Sequence, residues 1–220
     1  MIASPAPWSG EISDAPVRIA WVLFCLIAMP TLLRMCGIPS EMLSLFSVAA
    51  ALPGCVAPLP VLGIKKAESK DFILIAGLYA LIIILSAVIN LFWLPLLNNL
   101  GISYCETNEI VRLLQNAKVS GRIMIFLSGC LLTPVVEEVL FRRMIYAQWQ
   151  KIHAPTAFSG TTVLFAVLHF FISGLPGLLI MGGCFQYIFL KRQNLLSAIM
   201  LHALVNTIAF TMSLLFIQEI

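Results

Sequence analysis

Residues 123–145 of this 220-residue chain read IMIFLSGCLLTPVVEEVLFRRMI. The stretch is apolar and long enough for a helix that crosses a bilayer, which needs about 20 residues. It nevertheless contains Glu137, Glu138 and Arg142. A charged side chain inside such a helix costs about 2.5–3.5 kcal/mol, so it marks a functional site unless a structural partner neutralises it. The stretch therefore predicts a membrane helix that carries part of a site.

The composition of the whole chain agrees with a membrane protein. Hydrophobic residues make up 60% of the sequence and charged residues 10%, whereas an ordinary soluble domain has about 25% charged residues. A soluble fold is excluded because so few charged side chains cannot form a polar surface. The net charge of +3 is carried by residues that flank apolar runs. We therefore expect the lipid bilayer as a partner and do not expect nucleic acid.

Seven apolar runs predict an all-α, polytopic transmembrane helical bundle of about seven spans. The runs cover residues 17–33, 42–64, 72–97, 123–141, 155–171, 175–190 and 195–217. The second run contains Pro53, Gly54, Pro58 and Pro60, so we expect it to bend or to form two half-helices, and the count ranges from six to eight. We take residues 1–220 as a single membrane-embedded domain whose motif-bearing core covers about 120–217.

Lys and Arg residues are distributed unequally between the two sides of the predicted bundle. Seven crossings place nine of them on the side of the N-terminus and four on the other side. The positive-inside rule then predicts a cytoplasmic N-terminus. The compact length and the lack of a retention signal favour the plasma membrane, in particular the inner membrane of a prokaryote. The connection 98–122 has an amphipathic pattern that suits the membrane interface.

Helical spacing assigns different surroundings to the two glutamates. Glu138 and Arg142 are four residues apart, so they lie on one face and can form an ion pair. Glu137 points about 100° away and has no local partner. A carboxylate that is removed from water and unpaired suits a general acid or base. We therefore expect Glu137 to be the chemically active carboxylate and Glu138 the tethered one.

Two further runs carry polar residues at the same spacing. The fifth contains Phe165 and His169, and the seventh contains His202 and Asn206. Because His202 and Asn206 are four residues apart, we expect them to project together from one face of a helix. These residue types can act as general acids or bases and as hydrogen-bond donors to a developing negative charge.

Glu137 and His169 lie at different depths in the membrane if the fourth helix ends at Arg142. Glu137 then lies about 7–8 Å from the cytoplasmic edge, whereas His169 lies about 24 Å from the preceding loop. The depths agree if the fourth helix continues to about Gln150, with Arg142 buried, and if a bent fifth helix starts later than residue 155. Otherwise a single site is excluded.

The polar residues match, in order, three motifs of a known family: E-E-x-x-x-R, F-x-x-x-H and H-x-x-x-N. The matching residues are Glu137, Glu138 and Arg142; Phe165 and His169; and His202 and Asn206. On these residues the chain resembles the CPBP (Abi) intramembrane proteases, which include CAAX prenyl endopeptidases and bacteriocin-processing or self-immunity proteins. The motifs cover residues 137–206, about a third of the chain.

The resemblance implies a glutamic intramembrane endopeptidase that needs no cofactor. Glu137 would activate water, His169 would orient it, and His202 and Asn206 would stabilise the oxyanion. Glu138 and Arg142 would hold the site in place, and Phe165 would pack against it or line the substrate groove. The substrate would be a membrane-associated peptide or protein, such as a prenylated CAAX peptide, a bacteriocin leader or a C-terminal sorting tail.

Three alternatives remain open. Two histidines and a carboxylate can bind zinc, so Glu137, His169 and His202 could form a metal site, although the chain has no H-E-x-x-H helix. A transporter or proton relay would also place Glu and His within spans, but the sequence shows no repeat symmetry. A membrane adaptor or immunity protein could keep the motifs for folding alone. For an enzyme, we expect Glu137, His169, His202 and Asn206 to line one cavity between spans four, five and seven.

Overall fold

A computed structural model describes residues 10–102 and 109–218, and within these ranges the protein forms eight helices. No strand occurs in these ranges, so the predicted all-α helical membrane bundle is confirmed. The helices are α1 Ala15–Met35, α2 Ser40–Cys55, α3 Leu59–Leu62, α4 Ser69–Asn99, α5 Glu109–Asn116, α6 Val119–Val167, α7 Leu175–Arg192 and α8 Leu195–Gln218.

Four of these helices are long and apolar enough to cross a membrane, namely α1, α4, α6 and α8. The helix α2 is apolar but has only 16 residues. It ends at Cys55, and the single turn α3 follows after Pro58. The predicted break in the second run is therefore confirmed, and its cause is the group of prolines, which lack the N–H that a continuing helix would use.

The longest helix, α6, contains both the fourth and the fifth predicted spans. It has 49 residues and is kinked at His153, whose φ of −153° and ψ of 85° are not helical. Pro155 follows in the first turn of the second arm, a position where a missing N–H costs nothing. The first arm continues past Gln150, as predicted. The second arm resumes directly after the kink, so the expectation of a later start is wrong.

Hydrogen bonds within the kink hold its two arms together. The Trp149 Nε1 atom donates to Thr156 Oγ1 at 3.1 Å, and His153 Nδ1 lies 2.9 Å from the same hydroxyl. Gly160 lies against the Trp149 ring so closely that any Cβ atom there would overlap with it. The close approach of the second arm to Trp149 therefore depends on a glycine at residue 160, because a larger residue would displace the indole.

The buried core lies where α6, α7 and α8 pack together. The α7 helix packs against the second arm of α6, against α4 and against α8, while α2 packs against α1 and the first arm of α6. Large buried side chains at this centre include Leu140, Phe165, Phe185, Phe189 and Leu201. The amphipathic helix α5 packs against α8, and its Leu114 is fully buried.

Every second connection between the apolar runs lies at the same end of the bundle. At one end, Lys65 N donates to Asn194 Oδ1 at 3.0 Å, and Lys151 pairs with Glu11 at 2.9 Å. At the other end, Trp93 Nε1 donates to the carbonyl of Ile172 at 3.0 Å. This alternation agrees with the order of crossings that the seven apolar runs predict.

Candidate active site

Glu138 is the fixed carboxylate of the site. Its Oε2 accepts a hydrogen bond from Arg142 Nε, and its Oε1 lies within hydrogen-bonding distance of His202 Nδ1, both at 2.9 Å. The side chains of Glu138 and Arg142 are both fully buried. Arg142 also reaches Gln186 Oε1 on α7 at 3.4 Å, and its guanidinium lies 5.1 Å from the centre of the Phe165 ring. One buried ion pair thus connects α6, α7 and α8.

Two π-helical segments interrupt the first arm of α6 on either side of the glutamates. They cover Leu127–Leu132 and Val139–Ile145. A π-helical turn disturbs the regular backbone pairing, which lets a side chain reach a backbone carbonyl. In the first segment, the carbonyl of Gly129 accepts a hydrogen bond from Asn206 Nδ2 at 2.8 Å. This bond fixes Asn206 on α8 opposite the glutamates.

Glu137 lies between the two histidines. Its Oε2 is 3.9 Å from His169 Nε2 and 3.9 Å from His202 Nε2. This oxygen is buried and has no hydrogen-bond partner among the described residues, whereas both Glu138 oxygens are bonded. The structure therefore distinguishes the two carboxylates in the way that the helical spacing predicts.

His169 occupies a turn, where the sequence predicts a helix. The second arm ends at Val167, and Phe170 has a positive φ of 50°. The prediction of a helix over residues 155–171 is therefore wrong at its C-terminal end. The turn keeps His169 near Phe165, because His169 Nδ1 donates to the Phe165 carbonyl at 2.7 Å. A carbonyl only accepts, so the proton is on Nδ1 and the neutral ring presents the lone pair of Nε2 to Glu137.

Aromatic rings hold both histidines in position. The ring of Phe165 is only 1% exposed, and its centre lies 4.7 Å from the His169 ring and 6.0 Å from the His202 ring. Phe185 on α7 stacks on His202, with 4.6 Å between ring centres and 19° between ring planes. Gly182 lies one turn before Phe185 and leaves room for Phe165, since a Cβ there would be 3.0 Å from the Phe165 ring.

The four predicted catalytic residues line one cavity of about 390 Å³. Side chains of α7 and α2 contribute to its walls in addition to those of α6 and α8, which sequence reasoning did not anticipate. The lining includes Glu137, His169, His202, Asn206, Thr133, Ser44, Leu178, Met181 and Phe185. A second cavity of about 420 Å³ lies between α1, α2 and α6, and Glu137 and His169 line it too.

The histidines and Glu137 are spaced more widely than the ligands of a tetrahedral zinc site. Zinc–ligand bonds of about 2.0–2.1 Å in a tetrahedral site place ligand atoms about 3.4 Å apart, whereas each Nε2 atom is 3.9 Å from Glu137 Oε2. Among the residues that the structure describes, no group of three or more His, Cys, Asp and Glu side chains is arranged to hold a metal ion. Two polar atoms 3.9 Å apart can both hydrogen-bond to one water molecule that lies beside the line joining them, on the side of the cavity.

Comparison with known families assigns the part of the chain that carries the site. The model of the family described as Type II CAAX prenyl endopeptidase Rce1-like matches residues 119–208. The matched part makes up less than half of the chain, and residues 119–208 are called the Rce1-like domain on the basis of this similarity. The resemblance to the CPBP proteases is thereby confirmed. No curated protein and no solved structure matches the chain.

The Rce1-like domain comprises α6, α7 and most of α8, so it contains every motif residue. It also contains Phe185, a contact residue that sequence reasoning missed. Gln186 stands out in the sequence as an amide within an apolar run, which suits a hydrogen bond between helices, but nothing in the sequence indicates that it faces Arg142. Ser44 lies outside the Rce1-like domain, so this wall of the cavity comes from a part of the chain that carries no motif.

Proposed function

We propose that the protein is a glutamic intramembrane endopeptidase that hydrolyses a peptide bond in a membrane-associated peptide or protein tail. The proposal depends on one observation: an oxygen of Glu137 has no hydrogen-bond partner among the described residues, and Glu137 lines the same cavity as His169, His202 and Asn206. The Rce1-like domain supports an endopeptidase of the CAAX type in general. The glutamic mechanism is our inference from the geometry.

Water binds between Glu137 and His169 in the first step. It donates one hydrogen bond to Glu137 Oε2 and one to the lone pair of His169 Nε2, and its oxygen then faces the substrate carbonyl. Glu137 takes one proton as the water oxygen bonds to the carbonyl carbon. His169 orients the water and does not give up a proton, because its Nδ1 proton is bound to the Phe165 carbonyl.

Asn206 and His202 stabilise the oxyanion that results. One Nδ2 proton of Asn206 is bound to the Gly129 carbonyl, which leaves the second proton for the oxyanion. His202 donates from Nε2 when both ring nitrogens carry protons, and the bonded carboxylate of Glu138 balances that charge. The carbon–nitrogen bond then breaks, and Glu137 returns its proton to the leaving amine.

Glu138, Arg142 and Phe165 support these residues without taking part in proton transfer. Glu138 orients His202 and is itself held by Arg142. Phe165 fills the space beneath both histidine rings. A site that is held on three packed helices changes little between the states of the reaction, which is the condition for electrostatic stabilisation of a transition state.

The location and the extent of the enzyme are part of the same proposal. The apolar helices and the Rce1-like domain indicate a multi-pass membrane protein. We propose that it lies in the plasma membrane of a prokaryote with a cytoplasmic N-terminus. We also propose that residues 1–220 form one protease domain, because side chains of α1 and α2 complete the walls around Glu137.

Cleavage assays with purified protein test the function directly. The candidate substrates are a farnesylated CAAX peptide, a bacteriocin leader peptide and a peptide with a C-terminal sorting tail. We expect the wild type to cleave at least one of them and Glu137→Gln to abolish cleavage, because the amide cannot take a proton from water. A zinc chelator is expected to leave the wild-type rate unchanged.

The matched control is Glu41→Gln, which neutralises a carboxylate outside the cavity and should retain the wild-type rate. Inhibition by the chelator would replace the water mechanism with a zinc-dependent one. Full activity of Glu137→Gln would remove Glu137 from the chemistry. If no candidate is cleaved and Glu137→Gln alters proton-coupled transport in proteoliposomes, the protein is a transporter.

A further inference from the structure

The two cavities of the bundle meet at the site. The cavity between α6, α7 and α8 and the cavity between α1, α2 and α6 have four lining residues in common: Ser44, Thr133, Glu137 and His169. The carboxylate and the histidine thus lie at the junction of two spaces of about 390 and 420 Å³. A peptide bond that is presented to Glu137 can extend into a separate cavity on each side.

The cavity between α1, α2 and α6 is mainly apolar. Its walls include the aliphatic side chains of Leu23, Leu26, Ile27, Leu43 and Val48. The backbone of an extended peptide in such a space has N–H and C=O groups that would lose their water partners, at a cost of several kcal/mol for each unpaired group. A peptide therefore needs polar partners from the protein where it passes the site.

Ser44 and Thr133 are the polar groups at the junction besides Glu137 and His169. Serine and threonine in apolar helices usually donate to a carbonyl one turn earlier, as Thr161 does to Ala157 at 2.7 Å. The hydroxyls of Ser44 and Thr133 make no hydrogen bond to any described residue.

The lack of a local bond at Thr133 has a structural reason. The carbonyl one turn earlier is that of Gly129, and Asn206 already donates to it at 2.8 Å. Thr133 also follows directly after the π-helical segment Leu127–Leu132, where the regular pairing is interrupted. Its hydroxyl therefore remains available at the wall of both cavities.

We propose that Ser44 and Thr133 bind the backbone of the substrate next to the bond that is cleaved. Each hydroxyl can donate to a carbonyl and accept from an N–H, so the pair holds an extended peptide across the junction whatever its side chains are. Ser44 lies on α2 and Thr133 on α6, so they hold the peptide from two sides. The inference rests on the proposed function, and it assigns a role in substrate binding to the part of the chain before the Rce1-like domain.

Binding to inactive protein tests this role separately from catalysis. All variants are made in the Glu137→Gln background, and the probe is the peptide that the wild type cleaves, with the farnesylated CAAX peptide tried first. We expect Thr133→Val and Ser44→Ala each to raise the Kd about three- to tenfold, because a net hydrogen bond is worth about 0.5–1.5 kcal/mol. Thr133→Ser keeps the hydroxyl and should restore binding to within about twofold of the parent.

The control is Thr161→Val, which removes a buried hydroxyl that lines neither cavity and should leave the Kd unchanged. The assignment would be overturned if Thr161→Val raised the Kd as much as the other variants, or if Thr133→Val and Ser44→Ala left the Kd unchanged. Cleavage by the wild type would still support the proposed function in either case. If the wild type cleaves none of the candidates, the proposed function fails and this inference fails with it. Melting temperatures identify any variant that is merely unfolded.

Discussion

Glu137 and Glu138 are neighbours in sequence but have opposite surroundings. Both oxygens of Glu138 are bonded in the fully buried core, whereas Glu137 has an unpaired oxygen at a cavity. The difference follows from the 100° that separates adjacent residues on a helix. One residue thus provides structure while the next is available to react.

Asn206 is expected to act on the rate more than on binding. An oxyanion forms only in the reaction, so Asn206→Ala should lower kcat about 10²- to 10³-fold and change KM little. Steady-state kinetics on the peptide that the wild type cleaves provide the measurement. Because Asn206 also bonds to the Gly129 carbonyl, we expect a lower melting temperature as well.

A structural role alone would give a different pattern for Asn206→Ala. If the residue only ties α8 to α6, kcat of the folded fraction should stay near the wild-type value after correction for unfolded protein. If Asn206→Ala instead raised KM, and raised the peptide Kd by the same factor when made in the inactive Glu137→Gln protein, Asn206 would be a substrate-binding residue.

At the level of residues, spacing alone predicts the pairing in the site. The four-residue intervals correctly predict the contact of Glu138 with Arg142 and the common direction of His202 and Asn206. They fail at His169, because the helix ends at Val167 and a turn places the imidazole. Turn geometry depends on the packing around Phe165, and periodicity contains no information about that.

At the level of elements, α7 offers a matched pair of glycines. A Cβ at Gly182 would lie 3.0 Å from the Phe165 ring, whereas a Cβ at Gly183 would make only an ordinary contact at 3.9 Å. Phe165 cannot move away easily, because Phe141 and Phe185 pack edge-on against its ring. Gly182→Ala should therefore lower stability by about 1–3 kcal/mol and reduce cleavage, as overpacking of a core does.

Gly183→Ala serves as the control for Gly182→Ala. Alanine is favoured over glycine within a helix by about 0.5–1 kcal/mol, so this variant should be slightly stabilised and fully active. Thermal unfolding and cleavage rates in the same detergent give both readouts. Equal behaviour of the two variants would show that α7 can shift away from Phe165.

The elements themselves were largely predictable, because five of the seven apolar runs lie entirely within a helix. The kink at His153 and the two π-helical segments of α6 were not predictable in detail. Proline at residue 155 indicates a boundary, but the hydrogen bonds between Trp149, His153 and Thr156 decide its geometry. These contacts form between the two arms, and a window along the sequence cannot detect them.

At the scale of the whole molecule, the proposed orientation places the end of α1 outside the cell. Cys36 lies at that end and is exposed, whereas Cys25, Cys55, Cys130 and Cys184 are buried. In a Cys105→Ser background, a membrane-impermeant maleimide should label Cys36 on intact cells. Cys36→Ser should abolish the labelling.

A cysteine at the opposite end gives the matched control for this topology. Lys66 is exposed and lies beyond α3, so Lys66→Cys in a background without Cys36 and Cys105 should react only after the membrane is permeabilised. The reverse pattern at the two positions would place the N-terminus outside. The positive-inside rule would then have failed for this chain.

The kink in α6 limits which insertions and deletions are compatible with the site. Glu137 lies sixteen residues before His153, and His169 lies sixteen residues after it. At 1.5 Å per residue both are about 24 Å from the bend, which is why they meet at one depth. Deleting one residue from a single arm would shift one group by about 1.5 Å and turn it by about 100° relative to the other. In related sequences, insertions and deletions between Glu137 and His169 should therefore occur in compensating pairs around the bend, and an uncompensated one would indicate a relative in which the two groups no longer meet.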